Sequence, residues 1–184
     1  MRYISTKRII SMVAMLTFSA IGSASVPDVQ AGGYDQPPDL PASCEKVQVD
    51  AGHKVAFHVY AIGVQIYRWN GTSWDFVAPQ AALSSSANHD GDVGSHYAGP
   101  TWESNSGSKV VARRKDGCTP DANAIPWLLL EQVSTSGPGI FSSVTYIQRV
   151  NTTGGIPPTT PGLSVGEISQ VPYTAEYYFY RQQD

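Results

Sequence analysis

Residues 63–79, GVQIYRWNGTSWDFVAP, carry the clearest local structural signal in the chain. Asn70-Gly71 lies near the centre of this stretch, and both residues tolerate the positive φ of a two-residue type I′ turn. Such a turn predicts three cross-strand pairs, which are Trp69 with Thr72, Tyr67 with Trp74, and Gln65 with Phe76. Alternation of side chains then places four aromatic residues on one face, namely Tyr67, Trp69, Trp74 and Phe76. The stretch therefore predicts an antiparallel β-hairpin.

Short β-like segments separated by turn residues continue on both sides of this hairpin. Apolar and polar residues alternate at 47–49 and 55–59, which is typical of strands. Residues 78–92 are predicted to be turn-like, with one helical turn around 80–83. Further strands are predicted at 96–103, 109–113, 127–133, 144–150 and 173–180. The chain is thus predicted to be all-β, a single-domain antiparallel β-sandwich or small β-barrel of about eight strands.

The N-terminal segment has the layout of a secretory signal peptide. Arg2, Lys7 and Arg8 precede an apolar run at 9–21, and small residues follow at 22–24 and again at 29–31. We expect cleavage after Ala24 or as late as Ala31, then an extended, proline-rich leader over 25–43 and one β domain over 44–184. We therefore predict a secreted or periplasmic protein that has no membrane anchor after cleavage.

Removal of the leader makes the protein more acidic. The chain has 12 Lys and Arg and 15 Asp and Glu, and three of the basic residues but no acid lie in residues 1–24. Subtracting those three leaves 9 basic and 15 acidic residues, a net charge of −6 instead of −3. Nonspecific binding to nucleic acid or to an anionic membrane surface needs a basic face, so neither is expected.

Two cysteines, Cys44 and Cys118, are present. An even count in an exported chain predicts a disulfide between them, and the absence of a C-x-x-C motif argues against a redox dithiol or a zinc site. The histidines do not predict a metal site either. His53 and His58 are five residues apart and would lie on opposite faces of one strand, while His89 and His96 flank a turn. No metal and no cofactor are therefore predicted.

The segment 96–103, HYAGPTWE, is the densest in chemically active side chains. His96 and Glu103 are candidates for a general acid/base pair, although strand alternation puts Glu103 on the face opposite His96 and Trp102. The pair would therefore need a bend at Gly99-Pro100. The alternative is that His96 hydrogen-bonds to a loop and Trp102 belongs to the core.

Arg149 is a second residue with two interpretations. It lies in the predicted strand 144–150 and has a planar guanidinium that can bind an anion. Alternatively, it forms an ion pair with Glu131 or Glu176, and such structural pairing is the more common outcome.

Six segments in this order resemble one protein family. They are GVQIYRWNG from Gly63, FVAPQAAL from Phe76, HYAGPTWES from His96, AIPWLLL from Ala124, VTYIQRVNTTGG from Val144, and YTAEYYFY from Tyr173. Together they resemble the secreted bacterial and fungal family catalogued as domain of unknown function 3455, over residues 45–181. The resemblance implies an exported single domain and offers no catalytic residues.

The polar and aromatic residues of these segments make up a candidate ligand site. They are Tyr67, Trp69, His96, Trp102, Gln148 and Arg149, with Glu103 as a further neighbour. The first hypothesis is that they line one pocket for a small polar ligand or carbohydrate, because sugar rings stack on aromatic faces. The second is a hydrolase or lyase that uses His96 and Glu103. The third is a surface interaction or structural protein without a pocket.

Overall fold

A computed structural model describes residues 36–183 of the chain. These residues all belong to one structural unit. The predicted signal peptide and the first part of the predicted leader lie outside the described residues. Within the described range, no helix has the length and apolar character needed to cross a membrane.

The described residues contain one short 3₁₀ helix, Ala42–Val47, followed by β-strands. The eight strands are β1 His53–Trp69, β2 Trp74–Ser84, β3 Asp92–Tyr97, β4 Thr101–Ser104, β5 Lys109–Cys118, β6 Trp127–Ser136, β7 Tyr146–Gly154 and β8 Ile168–Gln182.

The strands form a closed antiparallel barrel. Each strand pairs with the next along the chain, and β8 pairs back with β1 over nearly its full length. The predicted all-β fold of about eight antiparallel strands is confirmed, and the closed ring of pairings corresponds to the barrel of the two predicted architectures. Each strand is therefore paired with a neighbour on both sides over at least part of its length.

Alternate residues of each strand point into the barrel. In β8 the inward residues are Tyr173, Ala175, Tyr177 and Phe179, all of them buried. Around Phe179, the rings of Phe57 and Phe141 pack with centroids 4.6 and 5.0 Å away. These aromatic side chains fill the end of the barrel at which β1 begins and β8 ends.

In the middle of the barrel, small residues let neighbouring strands approach closely. Ala61, Ala81 and Ala175 are all buried there. A Cβ added to Gly63 would lie 2.1 Å from the Gln80 carbonyl oxygen, and one added to Gly94 would lie 2.2 Å from the Glu103 carbonyl oxygen. Glycine is thus required at both positions.

The hairpin between β1 and β2 is present, but its predicted register is wrong. Trp69 pairs with Trp74 and Tyr67 with Phe76, so the connection holds four residues, Asn70 to Ser73. The Asn70 side-chain oxygen accepts hydrogen bonds from the Thr72 and Ser73 backbone amides, both at 2.9 Å. This asparagine turn replaces the tighter type I′ turn, because the side chain supplies the bonds that close the loop. The four aromatic residues nevertheless share one face, as the ring contacts of Tyr67 with Phe76 and Trp69 with Trp74 show.

Three local predictions outside the hairpin are also wrong. Residues 96–103 do not form one strand, because β3 ends at Tyr97 and β4 begins at Thr101 after a turn. Residues 80–83 do not form a helical turn, because β2 continues to Ser84 and pairs there with both β1 and β3. Residues 47–49 do not form a strand. Val47 ends the 3₁₀ helix, and both Val47 and Val49 are buried against the outside of the barrel.

The segment that carries the 3₁₀ helix covers part of the barrel's outer surface. Val47 and Val49 pack there with Val55, Leu129 and Tyr180. The predicted disulfide between Cys44 and Cys118 is confirmed and lies in the same cluster, with a Cα–Cα distance of 5.4 Å. The bridge therefore holds the segment before β1 against the end of β5.

Loss of the disulfide is expected to lower the free energy of unfolding by about 4 kcal/mol, because the bridge restricts a loop of 74 residues in the unfolded chain. Urea unfolding of the wild type, with and without a reductant, measures the effect. The double variant Cys44→Ser/Cys118→Ser is the control, and reductant should leave its midpoint unchanged. A wild-type midpoint that reductant does not lower would contradict this account of the bridge.

Candidate functional site

A cavity of about 380 Å³ opens at one end of the barrel. The antiparallel order places four connections at that end, β1–β2, β3–β4, β5–β6 and β7–β8. Its apolar walls include Phe76, Val77, Pro79, Leu128 and Leu130. Its polar side chains belong to His96, Trp102, Arg114, Arg149 and Tyr177. Three of the predicted site residues, His96, Trp102 and Arg149, thus meet in one concavity.

His96 and Trp102 are directly opposite each other on β3 and β4 and both point into the barrel. Their rings stack, with centroids 4.2 Å apart. The His96 Nδ1 lies 2.8 Å from the Thr101 carbonyl oxygen, so Nδ1 carries the proton and Nε2 is left as an acceptor. Burial lowers the pKa of His96 to about 3, against a smaller upward effect of the Thr101 bond. His96 is therefore a neutral hydrogen-bonding group.

Glu103 does not belong to this cavity, which corrects the candidate acid/base pair. It follows Trp102 in β4 and points to the outer face, where it accepts a 2.7 Å hydrogen bond from the Tyr97 hydroxyl and pairs with Lys109 at 3.1 Å. These two partners lower the pKa of the Glu103 carboxyl, the Tyr97 bond most strongly. The sheet separates Glu103 from His96, because the turn at Gly99-Pro100 reverses the chain without changing this alternation.

Two polar groups in the cavity wall make no hydrogen bond within the described structure, the Trp102 indole N–H and the Tyr177 hydroxyl. The two side chains are 1% and 0% exposed. The Tyr177 hydroxyl has Arg149 and Tyr173 as neighbours, but neither is placed to bond it with good geometry. Burial raises the pKa of Tyr177, so its hydroxyl keeps its proton. An unpaired buried donor of this kind costs about 1–3 kcal/mol.

Arg149 pairs with neither Glu131 nor Glu176, because it points inward and both acids point outward. Glu131 pairs with Arg113 and Glu176 with His58, on the outside of the barrel. The Arg149 Nε and Nη2 atoms instead donate hydrogen bonds of 3.1 and 2.8 Å to the Pro126 carbonyl oxygen. The guanidinium is thereby held in place without its charge being neutralised.

Arg114 is a cavity residue that the sequence analysis missed. A β-bulge lies between Arg114 and Asp116, so that both Arg114 and Gly117 face inward, opposite Leu130 and Leu128. A Cβ added to Gly117 would lie 2.8 Å from the Arg114 Nη2 atom, so the missing side chain leaves room for the guanidinium. Arg114 is exposed at the mouth of the cavity.

Tyr67 and Trp69 lie at the same end of the barrel but do not line the cavity. The β7–β8 loop covers them. The Tyr67 hydroxyl donates a 2.6 Å hydrogen bond to the Gly155 carbonyl oxygen, and a Cβ added to Gly162 would lie 2.6 Å from the Trp69 ring. Tyr67 still supports the cavity indirectly, because its ring contacts Phe76, with centroids 5.8 Å apart.

Gln148 lies outside the barrel and away from the cavity. Its amide nitrogen donates a 2.7 Å hydrogen bond to the Val47 carbonyl oxygen, and its amide oxygen accepts one from the Tyr180 hydroxyl. Gln148 is fully buried beneath the 3₁₀ helix segment. Its contacts are those of a structural residue that ties this segment to the sheet.

Metal binding has no assembled site in the part of the chain that the structure describes. Residues 36–183 contain no group of three or more His, Cys, Asp or Glu side chains placed to hold one ion. The His58 ring, for example, stacks on Tyr178 with centroids 4.1 Å apart, and its Nε2 atom lies 3.0 Å from a single carboxylate, that of Glu176.

Arg114 and Tyr177 are polar cavity residues that were not among the predicted site residues, although strand alternation contained a signal for both. Val110, Ala112 and Arg114 follow one another on the inward face of β5, so a charged residue continues an otherwise apolar face. Tyr177 shares the inward face of β8 with Phe179. An arginine or tyrosine hydroxyl that faces inward needs a hydrogen-bonding partner, so such residues on an apolar inward face indicate a candidate site.

The fold and the cavity define a class of protein, an eight-stranded antiparallel barrel with a cationic and hydrogen-bonding cavity at one end. The chain belongs to the family described as "Protein of unknown function (DUF3455)", whose model matches residues 50–181. The resemblance seen in the sequence is thereby confirmed. Neither a curated protein nor a solved structure matches the chain.

His96 is expected to stay neutral in the folded protein down to about pH 4, because protonation would place a charge in a buried site. Since the unfolded chain takes up a proton near pH 6.5, acidification across this range stabilises the unfolded state at the expense of the fold. Imidazole ¹⁵N NMR at pH 5 should show a neutral ring protonated at Nδ1 whose signal is absent from the spectrum of His96→Phe. An His96 ring that titrates with a midpoint above pH 5 would contradict its burial.

Proposed function

We propose that this protein binds a small molecule in the cavity at the mouth of the barrel. The observation that carries the proposal is the pair of buried, unpaired donors on Trp102 and Tyr177, two residues that line an open cavity. Polar groups buried in native proteins nearly always have partners, and exceptions call for an explanation. A bound ligand that accepts hydrogen bonds supplies one.

The size and walls of the cavity support the same proposal. Its volume of about 380 Å³ falls within the range of known small-molecule sites. Apolar side chains make up much of the wall and a few polar groups converge on the interior, which is the usual composition of such sites. Phe76 and Val77 at the rim are 56% and 44% exposed, an apolar surface that a ligand would cover.

The ligand is a compact molecule with an apolar part in preference to a carbohydrate. Inside the cavity Trp102 offers no free face to a sugar ring, because its ring is stacked on His96, and the exposed Phe76 stands only at the rim. Neither alternative hypothesis has a comparable observation behind it. His96 and Glu103 lie on opposite faces of the sheet, and a protein without a pocket would not have the cavity.

The proposed setting is outside the cytoplasm, in the secreted or periplasmic compartment. The Cys44–Cys118 disulfide supports this setting, because such bridges persist mainly in oxidising compartments. The signal-like N-terminal segment points in the same direction.

A plug variant tests the proposal. Ala98 is exposed in the β3–β4 turn at the cavity mouth, and Ala98→Trp should fill the entrance without touching the core. A library of small soluble compounds is screened against the wild type by saturation-transfer NMR. Compounds that bind the wild type should lose their signal in Ala98→Trp.

The matched control is Ser95→Trp. Ser95 is exposed on the outer face of the neighbouring strand β3, so its substitution adds the same side chain away from the cavity. Binding should persist in this variant. A screen without binders, or binders that are indifferent to Ala98→Trp, would count against the cavity as the functional site.

A further inference from the structure

We propose that the ligand is an anion with an apolar body, whose negative group binds to Arg114 and Arg149. This inference rests on the proposed function and deepens it by naming the chemical class of the ligand. The negative group is a carboxylate or a phosphate monoester, which share the oxygen geometry that guanidinium groups bind.

The charge of the cavity carries the inference. Two arginines line it, and no aspartate or glutamate does. Three glutamates on the neighbouring strands point to the outer face and have partners there: Glu103 with Lys109, Glu131 with Arg113, and Glu176 with His58. An uncompensated positive charge beside a low-dielectric wall attracts an anion, and it does so more strongly than the same charge in open water.

Arg114 and Arg149 differ in burial and in how firmly their side chains are held. Arg149 is partly buried and fixed by its two hydrogen bonds to the Pro126 carbonyl oxygen, and it lies between the inward residues Leu128 and Tyr177 of the adjacent strands. Arg114 stands at the mouth and forms no hydrogen bond or ion pair with another described residue. A fixed cation inside and an adjustable one at the rim suit a ligand whose charged group sits near the entrance.

The remaining polar groups are compatible with an anion. The Trp102 indole can only donate a hydrogen bond, and the Tyr177 hydroxyl can donate one. His96 is neutral, so it contributes no titrating charge to the cavity at ordinary pH. Beside these donors, Leu128, Leu130 and Pro79 form a wall for the apolar body of the ligand.

A series of three compounds with one ring and different end groups tests the charge requirement. They are 3-phenylpropanoate, 3-phenylpropan-1-ol and 3-phenylpropylamine, titrated into the full mature protein by calorimetry at pH 7.5. We expect the acid to bind, the alcohol to bind with an affinity at least about tenfold lower, and the amine not to bind. Inorganic phosphate and 2-phenylethyl phosphate in parallel titrations separate a bare anion site from one that also needs an apolar body, and a carboxylate from a phosphate monoester.

Substitution of the arginines locates the anion. Arg114→Met should weaken binding of the acid about tenfold and leave binding of the alcohol unchanged, because it removes the charge and keeps a similar apolar stem. Arg113→Met is the matched control, since Arg113 is the preceding residue and points outward to Glu131. Arg149→Lys is preferred to a neutral variant because Arg149 also bonds to the backbone, and it should weaken binding while the fold is kept.

The outcomes separate this inference from the function on which it rests. Equal binding of the acid and the alcohol, or equal effects of Arg114→Met and Arg113→Met, would overturn the anion and leave a small-molecule site. Inorganic phosphate that binds as tightly as the two phenyl-substituted anions would overturn the apolar body. If the acid fails to bind while neutral compounds from the screen depend on an open mouth, only the anion is overturned. If no compound in either experiment binds, both proposals fail.

Discussion

The pairing of β1 with β8 is the constraint on which the rest of the structure depends. It joins the first and last strands of the sheet and converts a meander into a ring, so that alternate residues of every strand share one interior. Without this closure, Tyr177 on β8 and Trp102 on β4 would belong to distant parts of a sheet, yet their ring centroids are 5.3 Å apart. Closure also satisfies the backbone of both strands, which would otherwise be open edges.

The interior is divided into two parts by the size and polarity of the inward residues. Phe57, Phe141 and Phe179 pack tightly at one end and exclude any ligand there. At the other end, residues that include Arg114, Arg149, Trp102 and Tyr177 line a space that the protein itself does not fill. Eight strands give an interior that is either just filled by side chains or wide enough for one small ligand. In this barrel, side chains fill one end and a cavity of about 380 Å³ remains at the other. The unpaired donors are destabilising in the free protein, and the proposed ligand would explain their presence.

Much of the fold was predictable from the sequence because period-two alternation and turn residues report directly on strands. The predictions were wrong where a side chain changes the number of residues in a loop or a bulge changes which residues of a strand face inward. Asn70 closes a four-residue loop with its side chain, which its preference for type I′ turns does not reveal. The bulge after Arg114 reverses the alternation of β5, so Gly117, which leaves room for the Arg114 guanidinium, could not be placed on the inward face from a regular pattern. Val47 and Val49 alternate like strand residues because both are buried, although they lie in and after a 3₁₀ helix.

The candidate site was only partly predictable, for a related reason. His96 and Trp102 could be put on one face because two residues of the same short segment obey local alternation. Their meeting with Arg149 and Tyr177 depends on the closure of the ring by strands far apart in sequence, which no local pattern encodes. Gln148 and Arg149 are adjacent in the chain but lie on opposite sides of the barrel wall, so that only Arg149 lines the cavity.

A crystal structure of the protein with 3-(4-bromophenyl)propanoate tests the central claim most directly, because bromine can be located by its anomalous scattering. The account predicts the bromine inside the barrel mouth, against Leu128 and Leu130, and the carboxylate within hydrogen-bonding distance of Arg114 and Arg149. Bromine bound only on the outer surface, or a carboxylate turned away from both arginines, would contradict it.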